Sequence, residues 1–194
     1  ETRGQRHYIG SPHADDAAAS RLLIASLFAS GDLDDARQAL ERHVGLFPKD
    51  EAAKLVPAAI HCENGDLLAA RDSLDGVDPK KLSAMDRALW FNNYGFTLAG
   101  LGVDLDLALE YGVRALDLAA PADRQFALRT LGVIHLARHE PQEAIDRLLL
   151  ALQERAHLRQ GDVDFTRYHL AKAYLLLENR REARLQLEQV ESGT

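Results

Sequence analysis

The sequence is poor in the residues that most site chemistry needs. It holds one cysteine, Cys62, which excludes an internal disulfide and leans toward a reducing, cytoplasmic compartment over the periplasm. No apolar run approaches the ~18 residues that a membrane-spanning helix requires, so membrane insertion within this chain is not expected. Basic residues never run more than two or three together, and the net charge is −7, so a phosphate backbone is repelled and nucleic acid is not an expected partner. β-Branched residues are scarce, which argues against a large sheet. The chain starts at Glu1 rather than Met, as expected of an excised domain or a processed protein, so no targeting signal can be read from it.

What is present is alanine, leucine and a period. The 194 residues are 46% hydrophobic, enough for a packed core, and the dominance of Ala and Leu favours helix. The segments "SGDLDDARQAL", "NGDLLAARDSL", "RHEPQEAIDRL" and "LENRREARLQL" each place an alanine after a polar turn and a large apolar residue four later; "GVDLDLALEYG" does the same with glycine last. The alanines are Ala36, Ala70, Ala108, Ala144 and Ala183, at intervals of 34, 38, 36 and 39 residues. Upstream of each turn runs a second periodic segment, with pairs such as Leu23 and Leu27, Tyr94 and Leu98, Leu131 and His135, and Leu170 and Tyr174 at i, i+4 on one helical face. Each unit is therefore predicted to be helix, tight turn, helix. Ser83 with Asp86, Asp78-Pro79 and Glu140-Pro141 supply start signals, and Pro48 and Pro121 fall between units.

Taken together these units resemble the tetratricopeptide repeat, whose pattern is W-x2-L-G-x2-Y, then A-x3-F, then P. The fourth unit has Leu128-x2-Leu131-Gly132-x2-His135 and Ala144-x3-Leu148; the fifth has Arg167-x2-Leu170-Ala171-x2-Tyr174 and Ala183-x3-Leu187; the first has Ser20-x2-Leu23-Ile24-x2-Leu27, Ala36-x3-Leu40 and Pro48. The resemblance implies an all-α fold, a right-handed α-solenoid of about five helix-turn-helix units and about ten antiparallel helices over residues 15–191, with a polar arm or linker at 1–14 and a tail at 192–194. Three departures stand out. The third unit carries one extra residue in its turn, flanked by Gly100 and Gly102. Gly112 replaces the large residue after Ala108, so a closer packing or an altered packing angle between units three and four is expected. In the second unit Pro57 takes the leucine slot, so that helix either kinks or begins near Val56.

Candidate chemistry is thin. "GFTLAGLG", residues 95–102, has the glycines of a phosphate loop but is followed by Val103 and Asp104 rather than Lys and Ser, and no strand precedes it. Gly95 is expected to let two helices touch, as Gly132 does. His135 and His139 are spaced like metal ligands but lack a third, and no HExxH occurs, so a packed imidazole and a solvated turn histidine are the better readings. Cys62 and His61 are adjacent on a helix and do not face each other. Asp104, Asp106 and Glu110 are explained by a helix start. No enzyme, cofactor or metal site is predicted.

The resemblance implies that the first helix of each unit lines a concave groove, with contacts one, five and eight residues after the tryptophan slot. Those positions are Arg21, Ala25 and Phe28; Leu55, Ala59 and Cys62; Asn92, Phe96 and Ala99; Arg129, Val133 and Leu136; Tyr168, Lys172 and Leu175. The apolar members with Arg21, Arg129 and Lys172 point to a protein or peptide ligand, an extended peptide or amphipathic helix of some acidic character. A carboxylate clamp for a chaperone tail is not expected, because only Asn93 fits its pattern. The expected function is a protein–protein interaction scaffold, one module of a larger bacterial-type protein. A homodimerisation module, or the regulatory segment of an enzyme or transcription regulator, is the alternative.

Overall fold

The structure is a computed structural model and describes residues 14–30, 32–154 and 160–191. The tail at 192–194, and the expected arm apart from Ala14, lie outside the described residues. Among these residues are ten α-helices: α1 (Ala14–Ser30), α2 (Leu33–Leu46), α3 (Leu55–Glu63), α4 (Leu67–Asp75), α5 (Ala84–Leu101), α6 (Leu105–Leu118), α7 (Arg124–Ala137), α8 (Pro141–Gln153), α9 (Gln160–Leu176) and α10 (Arg180–Glu191). Short 3-10 turns at Glu51–Lys54 and Pro79–Lys81 precede α3 and α5. Successive helices pair as five hairpins, and α3, α5, α7 and α9 lie side by side in a row. The chain is thus an all-α solenoid.

The turns explain the period. Each hairpin closes with an N–H reaching the carbonyl five residues back: Asp32 to Leu27 (2.9 Å), Asp66 to His61 (2.9 Å), Val103 to Leu98 (3.1 Å), Glu140 to His135 (2.9 Å) and Asn179 to Tyr174 (2.9 Å). This is the six-residue helix stop that needs a left-handed residue just before the donor. Gly65 and Gly102 supply it at φ 75° and 68°, and His139 and Glu178 adopt it at 59° and 58°. In the third turn the N-cap of α6 is Asp104, two residues after Gly102, whereas Asp66 follows Gly65 directly. The extra residue is real, and it puts Asp104 itself at φ 47° with no capping hydrogen bond from its side chain. Asp106 instead pairs with Arg138, across to the end of α7. Gly100, expected in the turn, is still helical; a Cβ there would lie 2.4 Å from Cδ1 of Leu67 on α4. Its smallness accommodates a neighbour rather than the turn.

Small residues set the helix spacing. Ala36, Ala70, Ala108 and Ala144 are all 0% exposed and Ala183 2%. A Cβ on Gly95 would lie 3.0 Å from the Ala108 carbonyl oxygen, and one on Gly112 2.7 Å from Leu131 and 2.8 Å from Ile134. Gly95 thus brings α5 onto α6, and Gly112 brings α6 onto α7, the close packing expected between units three and four. Leu131 therefore packs against the preceding unit as well as serving its own. This explains a departure in the first unit: Leu23 is 53% exposed while Ile24 is 0%, because no described helix precedes α1 to cover the leucine slot.

Pro57 neither kinks nor breaks its helix. It is the third residue of α3, within the first turn, where N–H groups have no intrahelical partner to lose. The helix is entered directly from the 3-10 turn Glu51–Lys54. That turn also anchors the first hairpin: Asp50 accepts from Arg21 of α1 at 2.6 Å, meets the buried His43 of α2 at 3.1 Å, and caps the turn at the Ala52 N–H, 3.1 Å away. As the sequence implied, Ser83 caps α5, accepting from the Asp86 N–H at 3.1 Å.

Candidate peptide groove

The row of first helices is curved. Phe96 on α5 and Phe165 on α9 approach to 6.1 Å between ring centroids, although α7 lies between their helices. The resulting groove has a volume of about 870 Å³ and takes its lining from α3, α5, α7 and α9, with the end of α6 at one side.

Of the residues expected to line it, Asn92, Phe96 and Arg129 do, together with Ala59 and Cys62. Others are placed elsewhere. Leu55, Ala99 and Leu136 are buried in the core, at 2%, 6% and 8% exposure. Val133 is half-buried against the cluster of Leu98 and Ile134. Tyr168, Lys172 and Leu175 are exposed on α9 outside the groove, and Arg21 is engaged with Asp50. The side chains of Ala25 and Phe28 lie outside those described. On α7 the last of these positions, Leu136, is covered by Leu170 and Ala173 of the next unit. The open surface there lies nearer the helix starts.

Sequence reasoning missed the groove's main apolar wall: Leu89, Phe126 and Phe165, with Met85 one turn earlier on α5. Leu89, Phe126 and Phe165 each stand two residues before the tryptophan slot of their unit. The same alignment that revealed the alanines holds this signal, a large apolar residue at one phase in three consecutive units.

Arg129 organises the deep end. Its Nη1 lies 2.6 Å from Asp162 Oδ1, and its guanidinium sits 5.4 Å from the Phe126 ring and 5.0 Å from the Phe165 ring. Such a sandwich with an ion pair holds a guanidinium rigidly. Thr97, fully buried, donates its Oγ1–H to the Asn93 carbonyl at 2.7 Å and lies 3.3 Å from Sγ of the lining residue Cys62. Burial pushes the Cys62 thiol up, so it stays protonated at neutral pH and is a poor nucleophile. Asn92 Nδ2 donates to Asn93 Oδ1 at 3.3 Å, which leaves Asn92 Oδ1 and Asn93 Nδ2, both solvent-inaccessible, without a protein partner. Glu63, Asp86, Asp123 and Asp162 also line the groove, so that among the described residues four carboxylates stand against the single guanidinium of Arg129. Of the cations expected on this surface, Arg21 is paired with Asp50, Arg129 lines the groove paired with Asp162, and Lys172 lies outside it.

His169 supports the wall from behind. Its Nδ1 bonds the Phe165 carbonyl at 2.8 Å and its ring lies 4.2 Å from that of Phe165. Burial pushes its pKa down to about 4. An unfolded histidine titrates near ~6.5, so this group's contribution is complete above that pH and is lost as pH falls from there through about 4. Stability should drop by about 1–3 kcal/mol over that interval beyond what carboxylates contribute. His169→Gln should flatten this part of a stability-against-pH curve measured by urea unfolding.

Elsewhere His135 hydrogen-bonds Glu140 at 2.7 Å and His139 occupies the turn. Among the described residues no group of three His, Cys, Asp or Glu could hold a metal ion, and no helix is long and apolar enough to cross a membrane.

No family model and no curated protein matches the chain. Solved structures do match in fold. A putative kinesin light chain from Podospora anserina with nearly identical TPR-like repeats aligns at TM-score 0.62 and 20% identity, over 95% of this chain and 97% of that one. The hetero-tetramer Cut9-Hcn1 of the APC/C aligns at TM-score 0.73 and 20% identity, over 94% of this chain but 34% of that one. PilF of Pseudomonas aeruginosa aligns at 0.64 and 19%, over 93% and 78%. With five turns closed alike and small residues at the same slot of each hairpin, the chain has the tetratricopeptide-like repeat fold.

Proposed function

We propose that the protein is a non-enzymatic interaction scaffold that captures a peptide or helix of a partner protein in the groove of its first helices. One observation carries this reading: four consecutive units contribute first-helix side chains to a single continuous groove of about 870 Å³ with an apolar wall. An apolar surface of that extent, rimmed by polar groups, is the mark of a docking site rather than of scattered exposed residues. The protonated thiol of Cys62 is a poor nucleophile, and Arg129 is paired internally.

A photoreactive side chain at Leu89, 45% exposed in the groove, should cross-link one protein partner in the native host. The same group at Leu68, 59% exposed on α4 and outside the groove, should not. Phe126→Ala should reduce the Leu89 cross-link at least about tenfold, as loss of an aromatic anchor does at interfaces. Equal cross-linking from both positions would rule the groove out.

A further inference from the structure

We infer that the groove's occupant is a peptide segment carrying lysine or arginine around apolar anchors. This rests on the groove reading above and specifies its partner. Two independent features of the lining converge on it. The wall of Leu89, Phe126 and Phe165 repeats once per unit, and so offers successive apolar seats along a bound segment. The charge is the second feature. Glu63 and Asp123 are exposed at the rim, while Asp86 and Asp162 lie further in, and among the described lining residues the one cation, Arg129, is already held by Asp162 and two aromatic faces.

An acidic segment would have to bring its carboxylates against this described set, whose one guanidinium is already paired. A basic one finds rim carboxylates that attract it from a distance and fix its register. The neutral ring of His169 behind Phe165 adds no opposing charge at physiological pH. The aromatic faces are suited to the same chemistry, since an alkyl stem of lysine or arginine packs on an apolar wall while its charged end reaches the rim.

An array of immobilised peptides tests this, using twelve-residue sequences that share leucine and phenylalanine anchors and differ only in having lysine and arginine, serine, or aspartate and glutamate between them. The full chain is expected to be retained by the basic set about tenfold more than by the acidic set at low salt, with the preference shrinking in ~0.5 M salt. Glu63→Lys with Asp123→Lys should reverse the preference. Glu63 ends α3 and Asp123 makes no capping hydrogen bond, so the variant should keep its helical circular dichroism. Retention chiefly by acidic peptides, abolished by Phe126→Ala, would overturn the basic assignment and leave the groove standing. Retention that ignores both Phe126→Ala and the charge reversal, or none from any set, would overturn the groove reading itself and this inference with it.

Discussion

Trp90→Ala is expected to destabilise the protein by about 3–5 kcal/mol, a large part of the ~5–15 kcal/mol available to a domain. Trp90 is 6% exposed and belongs to the cluster that unites α3, α4, α5, α6 and α7 through Ala58, Leu74, Phe91, Ala115 and Ala127. Its ring lies 5.2 Å from Phe91, 5.1 Å from Tyr94 and 5.3 Å from Tyr111, and its indole N–H donates to the Leu74 carbonyl at 3.1 Å. Alanine would leave a cavity bordered by four helices, each fixed by its own hairpin partner, so collapse into it is restricted. Trp90→Phe keeps a ring in the cavity. The Leu74 carbonyl also accepts from the Val77 N–H at 3.1 Å, so the loss of the indole bond should add only about 1 kcal/mol. Because this is the chain's one tryptophan, unfolding has to be followed by helical circular dichroism rather than by fluorescence. In a repeat array each unit packs mainly on its neighbours, and Phe96 against Phe165 is a small contact between units three and five, so protection against hydrogen exchange should fall first in α4, α5 and α6 while α9 and α10 largely keep theirs. Uniform loss along the chain would mean that the array unfolds as one unit and that the local account is incomplete.

The parts of this fold that were legible in the sequence are those enforced by a steric minimum. A helix pair that touches at one point admits only Ala or Gly there, and Ala36, Ala70, Ala108, Ala144 and Ala183 mark that point once per unit. The third turn's extra residue was visible as a shift of one between glycine and alanine, and it appears as Asp104 in the left-handed region. What the sequence hid depends on neighbours that spacing does not show. Leu23 fills a conserved-looking slot yet is exposed, since that slot is buried by the previous unit and none is described. Gly100 looked like turn chemistry because it stands two residues from the true helix stop, but what it admits is Leu67 of a different helix. Of the residues that spacing put on the open face of the first helices, Asn92, Phe96 and Arg129 line the pocket there, whereas Leu136 is buried by the following unit. A residue's formal charge says nothing of its partner: Asp162 meets Arg129 from the next repeat.

Glycine-to-alanine substitution should have opposite signs at two helical positions of this chain, and the contrast isolates the close approach that holds a hairpin. At Gly45, near the end of α2, a Cβ would meet nothing within 4 Å. Gly45→Ala should therefore stabilise by about 0.5–1 kcal/mol, the helix-propensity and unfolded-state gain alone. At Gly132 on α7 the same Cβ would stand 2.4 Å from Cγ and 2.6 Å from Cδ2 of Leu148 on α8. Leu148 cannot swing aside: it is 0% exposed and packed in a cluster with Leu136, Leu170 and Ala173, so the helices themselves must part. Overpacking of this kind costs about 1–3 kcal/mol, which outweighs the propensity gain, and Gly132→Val, with two further carbons in the same space, should cost more than Gly132→Ala. Leu148→Ala should cost about 2–5 kcal/mol through its cavity. The double variant Gly132→Ala with Leu148→Ala should then be more stable than the sum of the singles predicts by about 1–3 kcal/mol, because the new methyl enters the space the leucine vacated. Urea unfolding of the four proteins measures this coupling directly. A coupling near zero, or a Gly132→Ala variant as stabilised as Gly45→Ala, would show that α7 and α8 do not meet this closely, and the physical reason for a small residue at this slot would fall with it.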